Sequence, residues 1–423
     1  VAALMELALP ASRSKQGLGL MGLILLLLPL AHNWTLKYDF QVQSNIDVLV
    51  HIALMVFAIG AVLIQGVSQW FIVMLFWSLG LSFSFGLSQD LDQKLINEIV
   101  LSTVNFFGPI AITLYVIRAR PDEATLLRLF RWMALLFIGC TLYVGYVFLF
   151  APDLITGLKF GEDLVSNIFL VRGGRLSLTF SEPSHAGFTL GFMILFFINS
   201  FRKHGSKTDL LLVLACLIML LASGAKLAIP ITLLCVVTLF SGALARHVYA
   251  LVVYASIALS LVGFLFLDQI YGLMSHLSYE QQETFVTRMS FFFSTPEFLA
   301  NNPLGYGFSK LFETDVVNVV CERVHEANLH QLNTGEMSFY CSDPGLFFGA
   351  KEHFSLMALH FGVIGLTAFV LVLRYIKNLS DDPRYLTYFL YFTVSFIFYQ
   401  RFTGMNTGIY PLVAMGLIYY EKK

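Results

Sequence analysis

Apolar runs long enough to span a bilayer recur along this chain, and they limit what it can fold into more than any other feature. A hydrocarbon core of about 30 Å needs roughly 20 such residues. The runs fall at 16–32, 46–66, 69–87, 98–117, 132–151, 183–201, 248–267, 353–373, 386–401 and 406–420. The stretch 210–240 is too long for one crossing at about 1.5 Å per helical residue, and Ser223-Gly224-Ala225-Lys226 interrupts it. Arg202, Lys203 and Lys207 precede this stretch and Arg246 follows it. The positive-inside bias therefore puts both flanks in the cytoplasm, so the chain crosses twice and Lys226 sits at the outer tip. The expectation is an all-α polytopic membrane protein of about twelve transmembrane helices, one domain over 1–423, with both termini cytoplasmic. Composition agrees, because 57% hydrophobic and 13% charged residues leave too little charge to cover a soluble surface. Arg13 and Lys15 before the apolar Gly17–Ala31 resemble a signal peptide, but no small-residue cleavage site follows at His32-Asn33-Trp34, so this is read as a retained first span. No basic tract or aromatic-basic interleaving suggests nucleic acid.

Two outer loops, 152–182 and 268–352, are far longer than ordinary connections in a helix bundle, which marks them as carriers of a site. The larger precedes the tenth helix. Within it Ser278-Tyr-Glu-Gln281 fits a capping box, so a helix begins there, with Phe285, Met289, Phe292 and Phe293 on one face, lying along the membrane surface. Cys321 and Cys341 share this loop, where an oxidising compartment would permit a disulfide. Cys140, Cys216 and Cys235 fall in the apolar runs and read as core residues.

Three groups of residues suit chemistry. The first is Arg172-Gly-Gly-Arg175 leading into Ser181-Glu182-Pro183-Ser184-His185, where an outer loop enters a span. Pro183 suits a first helical turn, and a helix N-terminus beside two arginines suits phosphate. The second is Arg288, followed by the tight turn Asn302-Pro303-Leu304-Gly305-Tyr306-Gly307. The third is His353, which opens a span running through His360 to Gly362-Val-Ile-Gly365, with an imidazole able to act as a base near neutral pH. Lys226 and Arg401 are further outer-edge cations. Plain structural roles fit the same residues: Glu182 paired with an arginine, His185 and His353 as interfacial anchors, Arg288 snorkelling to headgroups, and His360 as a buried hydrogen-bonding residue.

In this order, over the back two-thirds of the chain, these segments resemble the O-antigen polymerase and ligase superfamily, the Wzy-type polysaccharide polymerases and WaaL-type O-antigen ligases of bacterial inner membranes. The matching features are Arg288, the Asn302-to-Gly307 turn, His353 and the Gly362/Gly365 pair; Ser181-Glu182-Pro183-Ser184 is similar to a Phe-Ser-Glu-Pro-Ser segment of the polymerases. Lys226 stands where that superfamily has an arginine, which keeps a cation but removes bidentate phosphate binding. The resemblance implies a GT-C-like membrane fold whose periplasmic loops 152–182 and 268–352 cover the active site. It also implies a cofactor-free, metal-independent glycosyltransferase acting on undecaprenyl-pyrophosphate-linked oligosaccharides. Arg172, Arg175 and Arg288 would hold pyrophosphate, with Lys226 and Arg401 as weaker candidates. His353 would be the base, with Glu182 as alternative and His185 as a further candidate. Expected partners are the lipid-linked glycans, membrane lipid and a chain-length regulator protein. An O-antigen ligase acting on lipid A-core, and a secondary transporter, are the alternatives.

Overall fold

The computed structural model describes residues 69–87, 123–150, 158–160, 163–165, 171–172, 175–176, 178, 183–240, 242–308, 311–342, 353–377 and 382–398, with scattered positions between 56 and 111. These residues form an all-helical protein with two short antiparallel hairpins. The helices are α1 (Gln69–Leu87), α2 (Glu123–Phe150), α3 (Pro183–His204), α4 (Lys207–Ala222), α5 (Ala228–Thr238), α6 (Gly242–Leu265), α7 (Leu267–Met274), α8 (Tyr279–Asn301), α9 (Leu311–Leu329), α10 (Gly335–Ser342), α11 (His353–Lys377) and α12 (Pro383–Phe398). The hairpins pair β1 (Leu158–Phe160) with β2 (Asp163–Val165), and β3 (Val171–Arg172) with β4 (Arg175–Leu176). Helices stand where the apolar runs 69–87, 132–151, 183–201, 248–267, 353–373 and 386–401 place them, and the 210–240 run is broken at Ser223–Leu227 into α4 and α5. The runs at 16–32 and 406–420 lie outside the described residues. Among the described residues one helix, Leu126–Phe150, is by itself long and apolar enough to cross a membrane, and shorter apolar helices run over Phe71–Ser84, Ala228–Thr238 and Phe354–Thr367.

Helix α3 is the axis of the bundle. Its residues from Ala186 through Phe197 are buried, enclosed by α4, α5 and α12. The Tyr391 hydroxyl donates to the Phe188 carbonyl at 2.6 Å and that of Tyr388 to the Leu195 carbonyl at 3.4 Å, so α12 runs antiparallel to α3. At the far end of α3 a buried carboxylate joins three helices. Asp209 of α4 takes Arg131 of α2 in a two-pronged pair, Nε to Oδ1 at 2.8 Å and Nη2 to Oδ2 at 2.9 Å, and accepts from Ser200 of α3 at 2.7 Å. Such a fork-to-fork geometry is what lets an ion pair recover the cost of desolvating Asp209. Nearby, Arg202 donates to the Leu239 carbonyl at 2.8 Å and lies over the Phe240 ring. This is the end that carries the basic clusters of the sequence.

The second half of the bundle is a helical hairpin, α8 and α9, inserted against α6 and α11. The capping box expected at Ser278 is formed, with the Gln281 side-chain carbonyl accepting from the Ser278 N–H at 3.1 Å. From there α8 goes into the bundle rather than only skirting it: Phe291 through Thr295 are buried. The Ser260 hydroxyl of α6 donates to the Phe292 carbonyl at 3.1 Å. Helix α9 returns beside α8, fixed by Arg323, which reaches Glu297 of α8 at 2.5 Å and Glu326 of its own helix at 2.9 Å. Burial alone would lower the Arg323 pKa, but the hydrogen bonds and charges of Glu326 and Glu297 outweigh it and the pKa is raised. Cys321 and Cys341 are joined as a disulfide between α9 and α10.

Candidate functional site

The turn between α8 and α9 and a break in α11 are made for one another. Helix α11 is interrupted at Gly362, where φ is +60° and ψ is −151°. Backbone groups released there are taken up by the turn. Tyr306 N–H donates to the Leu359 carbonyl at 2.7 Å, Gly307 N–H to the His360 carbonyl at 3.1 Å, and Val363 N–H to the Pro303 carbonyl at 2.8 Å. His360 adds a side-chain tie, Nδ1 to the Gly307 carbonyl at 2.5 Å, from a buried position against the Phe308 ring. The Ser82 hydroxyl of α1 closes the junction by accepting from the Phe308 N–H at 2.5 Å. Glycine is required at this contact. A Cβ on Gly362 would run into the Pro303 carbonyl, and one on Gly305 would lie 2.6 Å from the Gly362 nitrogen. Positive φ at Gly305, Gly307 and Gly362 excludes ordinary side chains independently. The Asn302-to-Gly307 turn and the Gly362 end of the Gly-x-x-Gly pair, separate in sequence, are therefore the two halves of one backbone junction, buried over 305–308 and 359–362.

This junction and the contacts along α8 and α11 place Arg288 and His353 relative to each other. Residues 303–307 meet 359–363, Thr295 Oγ1 lies 2.9 Å from Ser355 Oγ, and the Phe292 and Phe354 rings are 5.4 Å apart, so α8 and the first part of α11 run in parallel. Arg288 precedes Thr295 by seven residues, about two helical turns, which returns it to the face of α8 that meets α11. His353 is two residues before Ser355 and begins α11. Helical rise then separates the levels of Arg288 and His353 by roughly 7 Å along the shared axis. Arg288 is half-buried.

The other candidates gather at the start of α3. Gly187 of α3 has no room for a Cβ because Ala225 of the α4–α5 tip lies against it, so the Lys226 tip packs beside the first turn of α3. Strand β4, which begins at Arg175, contacts α3 and α4, with Leu176 and Leu178 buried. The β3–β4 hairpin, the α3 N-terminus that contains His185 and the exposed Lys226 thus form one neighbourhood. Helix α12 runs antiparallel to α3 and ends at Phe398 on the same side. Helix α6 starts just after Leu239, beside the Arg202 end, and its last turns reach Phe292 and Phe293 of α8. Both groups of candidates therefore lie at the end of the bundle opposite the Arg131–Asp209 pair. Glu182 and Arg401 lie outside the described residues, and for Arg172, Arg175, His185 and His353 the described part is the backbone.

Several contributors carried no clear local signal. Ser82, Thr295 and Ser355 are small hydroxyl residues in helices, where most such groups bond their own backbone. Asp209 is different: an acid opening an apolar run is costly and seldom without a partner, and that alone marks it. Comparison with protein-family models, with curated proteins and with solved structures gives no match for this chain.

Proposed function

We propose that this chain is a polytopic bacterial inner-membrane glycosyltransferase of about twelve spans that polymerises a surface polysaccharide at the periplasmic face. The observation that carries this reading is the Arg288–His353 arrangement: the resemblance assigns pyrophosphate binding to one and base catalysis to the other, and α8 and α11 bring their backbones to one face. Large apolar side chains left exposed on α2, α4 and α6, among them Trp132, Leu142, Leu211, Ile218, Leu251 and Tyr254, suit a lipid surround. Placing the candidates at the end away from the basic clusters suits a periplasmic site.

In the proposed reaction a hydroxyl of the incoming lipid-linked repeat unit attacks the anomeric carbon of the growing chain. The new glycosidic C–O bond forms as the bond to undecaprenyl pyrophosphate breaks. His353 accepts the hydroxyl proton, and the negative charge developing on the departing pyrophosphate falls to Arg288, with Arg172, Arg175 and Lys226 at the neighbouring α3 end. Fixed cations at the leaving group are worth most where water is excluded. Glu182 is the alternative base.

Deleting the gene and resolving surface polysaccharide by gel tests the class. Loss of the long ladder with single repeats still attached supports a polymerase. Accumulated lipid-linked polymer would instead mean a ligase, and an unchanged ladder would sink both. For the roles, purified His353→Ala and Arg288→Ala should lose elongation of lipid-linked repeats by a factor on the order of 100 or more; undiminished elongation by His353→Ala removes it as the base.

A further inference from the structure

The break at Gly362 divides α11, so the stretch His353–Phe361 is not held in place by helical continuity with the rest of that helix. Beside the Thr295–Ser355 contact with α8, it is held by the turn of the α8–α9 hairpin: two turn N–H groups donate into the Leu359 and His360 carbonyls, and the Val363 N–H reaches back to Pro303. The side chain that bridges the two segments is the buried His360, whose Nδ1 donates to the Gly307 carbonyl at 2.5 Å, while Ser82 of α1 takes the Phe308 N–H from outside them. The same carbonyl belongs to the residue whose N–H binds the His360 carbonyl, so His360 and Gly307 are tied twice. From this geometry we propose that His360 is a positioning residue: it fastens the half-helix carrying His353 to the hairpin carrying Arg288, so that the two move as one unit and keep a fixed spacing. The role of that spacing rests on the polymerase reading; the fastening does not.

The imidazole is suited to this. Its planar ring reaches the carbonyl from a site packed by Phe308, Phe106 and Phe361, with ring centroids 4.3, 6.0 and 6.1 Å away. An aliphatic side chain would fill the space and leave the Gly307 carbonyl buried without its side-chain donor, a loss of the order of a hydrogen bond. Asparagine places an amide N–H near the position of Nδ1, whereas glutamine places it near that of Nε2. The two amides therefore separate a geometric requirement from a general need for a polar residue.

The test uses the full-length protein in membranes. Thr295→Cys and Ser355→Cys replace hydroxyls 2.9 Å apart, so their mild oxidation reports the α8–α11 register without any need for activity. Peptide mass spectrometry distinguishes this bond from the native Cys321–Cys341 bond, whose presence shows α9 and α10 to be paired in each variant. Cross-linking should be within about twofold of the parent for His360→Asn, and slower by about tenfold for His360→Gln and His360→Leu, the factor expected for one buried hydrogen bond. Equal cross-linking in the Asn and Gln variants overturns the proposal, whether or not the Leu variant accumulates. In elongation assays His360→Gln should lower kcat with donor KM unchanged, and Asn should restore it. If the cross-linking follows this pattern but the parent protein elongates no lipid-linked glycan, the fastening stands and the polymerase reading falls.

Discussion

Two junctions of this bundle are held by opposite means. At the basic end, Arg131, Ser200 and Asp209 join α2, α3 and α4 through side chains alone, around one buried carboxylate. In the second half of the bundle, the α8–α9 turn and the α11 break are joined mainly through backbone groups, with His360 and Ser82 as the side-chain additions. A side-chain lock depends on having both partners but leaves the backbone free. A backbone junction is indifferent to most side chains but admits no Cβ where the chains touch. The first kind suits an end that only has to be closed. The second fixes two segments relative to each other, the hairpin that carries Arg288 and the half-helix that opens at His353.

Four substitutions would break or sharpen this contrast, from the largest expected effect to the smallest. Gly362→Val forces a branched side chain into a positive-φ position against the Pro303 carbonyl; it should cost about 4 kcal/mol or more, seen as loss of folded protein in detergent. Arg131→Met strands the Asp209 charge at a site that admits some water, since Arg131 is one-third exposed. The expected cost is about 3 kcal/mol by thermal melting, and adding Asp209→Leu should recover most of it. If the double variant is no more stable than the single, the side-chain view of this end fails. Cys321→Ser removes a cross-link closing a 20-residue separation and should cost about 2–3 kcal/mol of α9–α10 stability, read by limited proteolysis. Ser82→Ala leaves the buried Phe308 N–H without its acceptor, about 1–2 kcal/mol. A Ser82→Ala effect matching that of Gly362→Val would mean that side chains, not backbone fit, hold the junction.

The extent to which the site was legible in sequence follows the same division. The start of α3 at Pro183, the cap at Ser278 and the interruption at Ser223-Gly224-Ala225-Lys226 are local matters of proline geometry, capping hydrogen bonds and turn composition, and each stands where the sequence puts it. His360 was legible as a buried hydrogen-bonding residue from its place in an apolar run, but its acceptor was not, because Gly307 lies 53 positions away. The helix break at Gly362 had no local sign either. A single glycine in an apolar helix is commonplace, and only the approach of Pro303 makes this one a necessity.

The sequence by itself determined the helical class, the positions of most helices and the residue types on which a phosphate-binding, base-catalysed site would be built, since periodicity, capping and charge placement act over a few residues. Tertiary structure alone decided that the loop after α7 becomes a hairpin wedged into the bundle, that its turn completes a broken helix, and that Cys321 meets Cys341. These are contacts between segments tens of residues apart. They are selected by close packing and by the demand that every buried backbone group find a partner, conditions met only when the whole bundle has assembled.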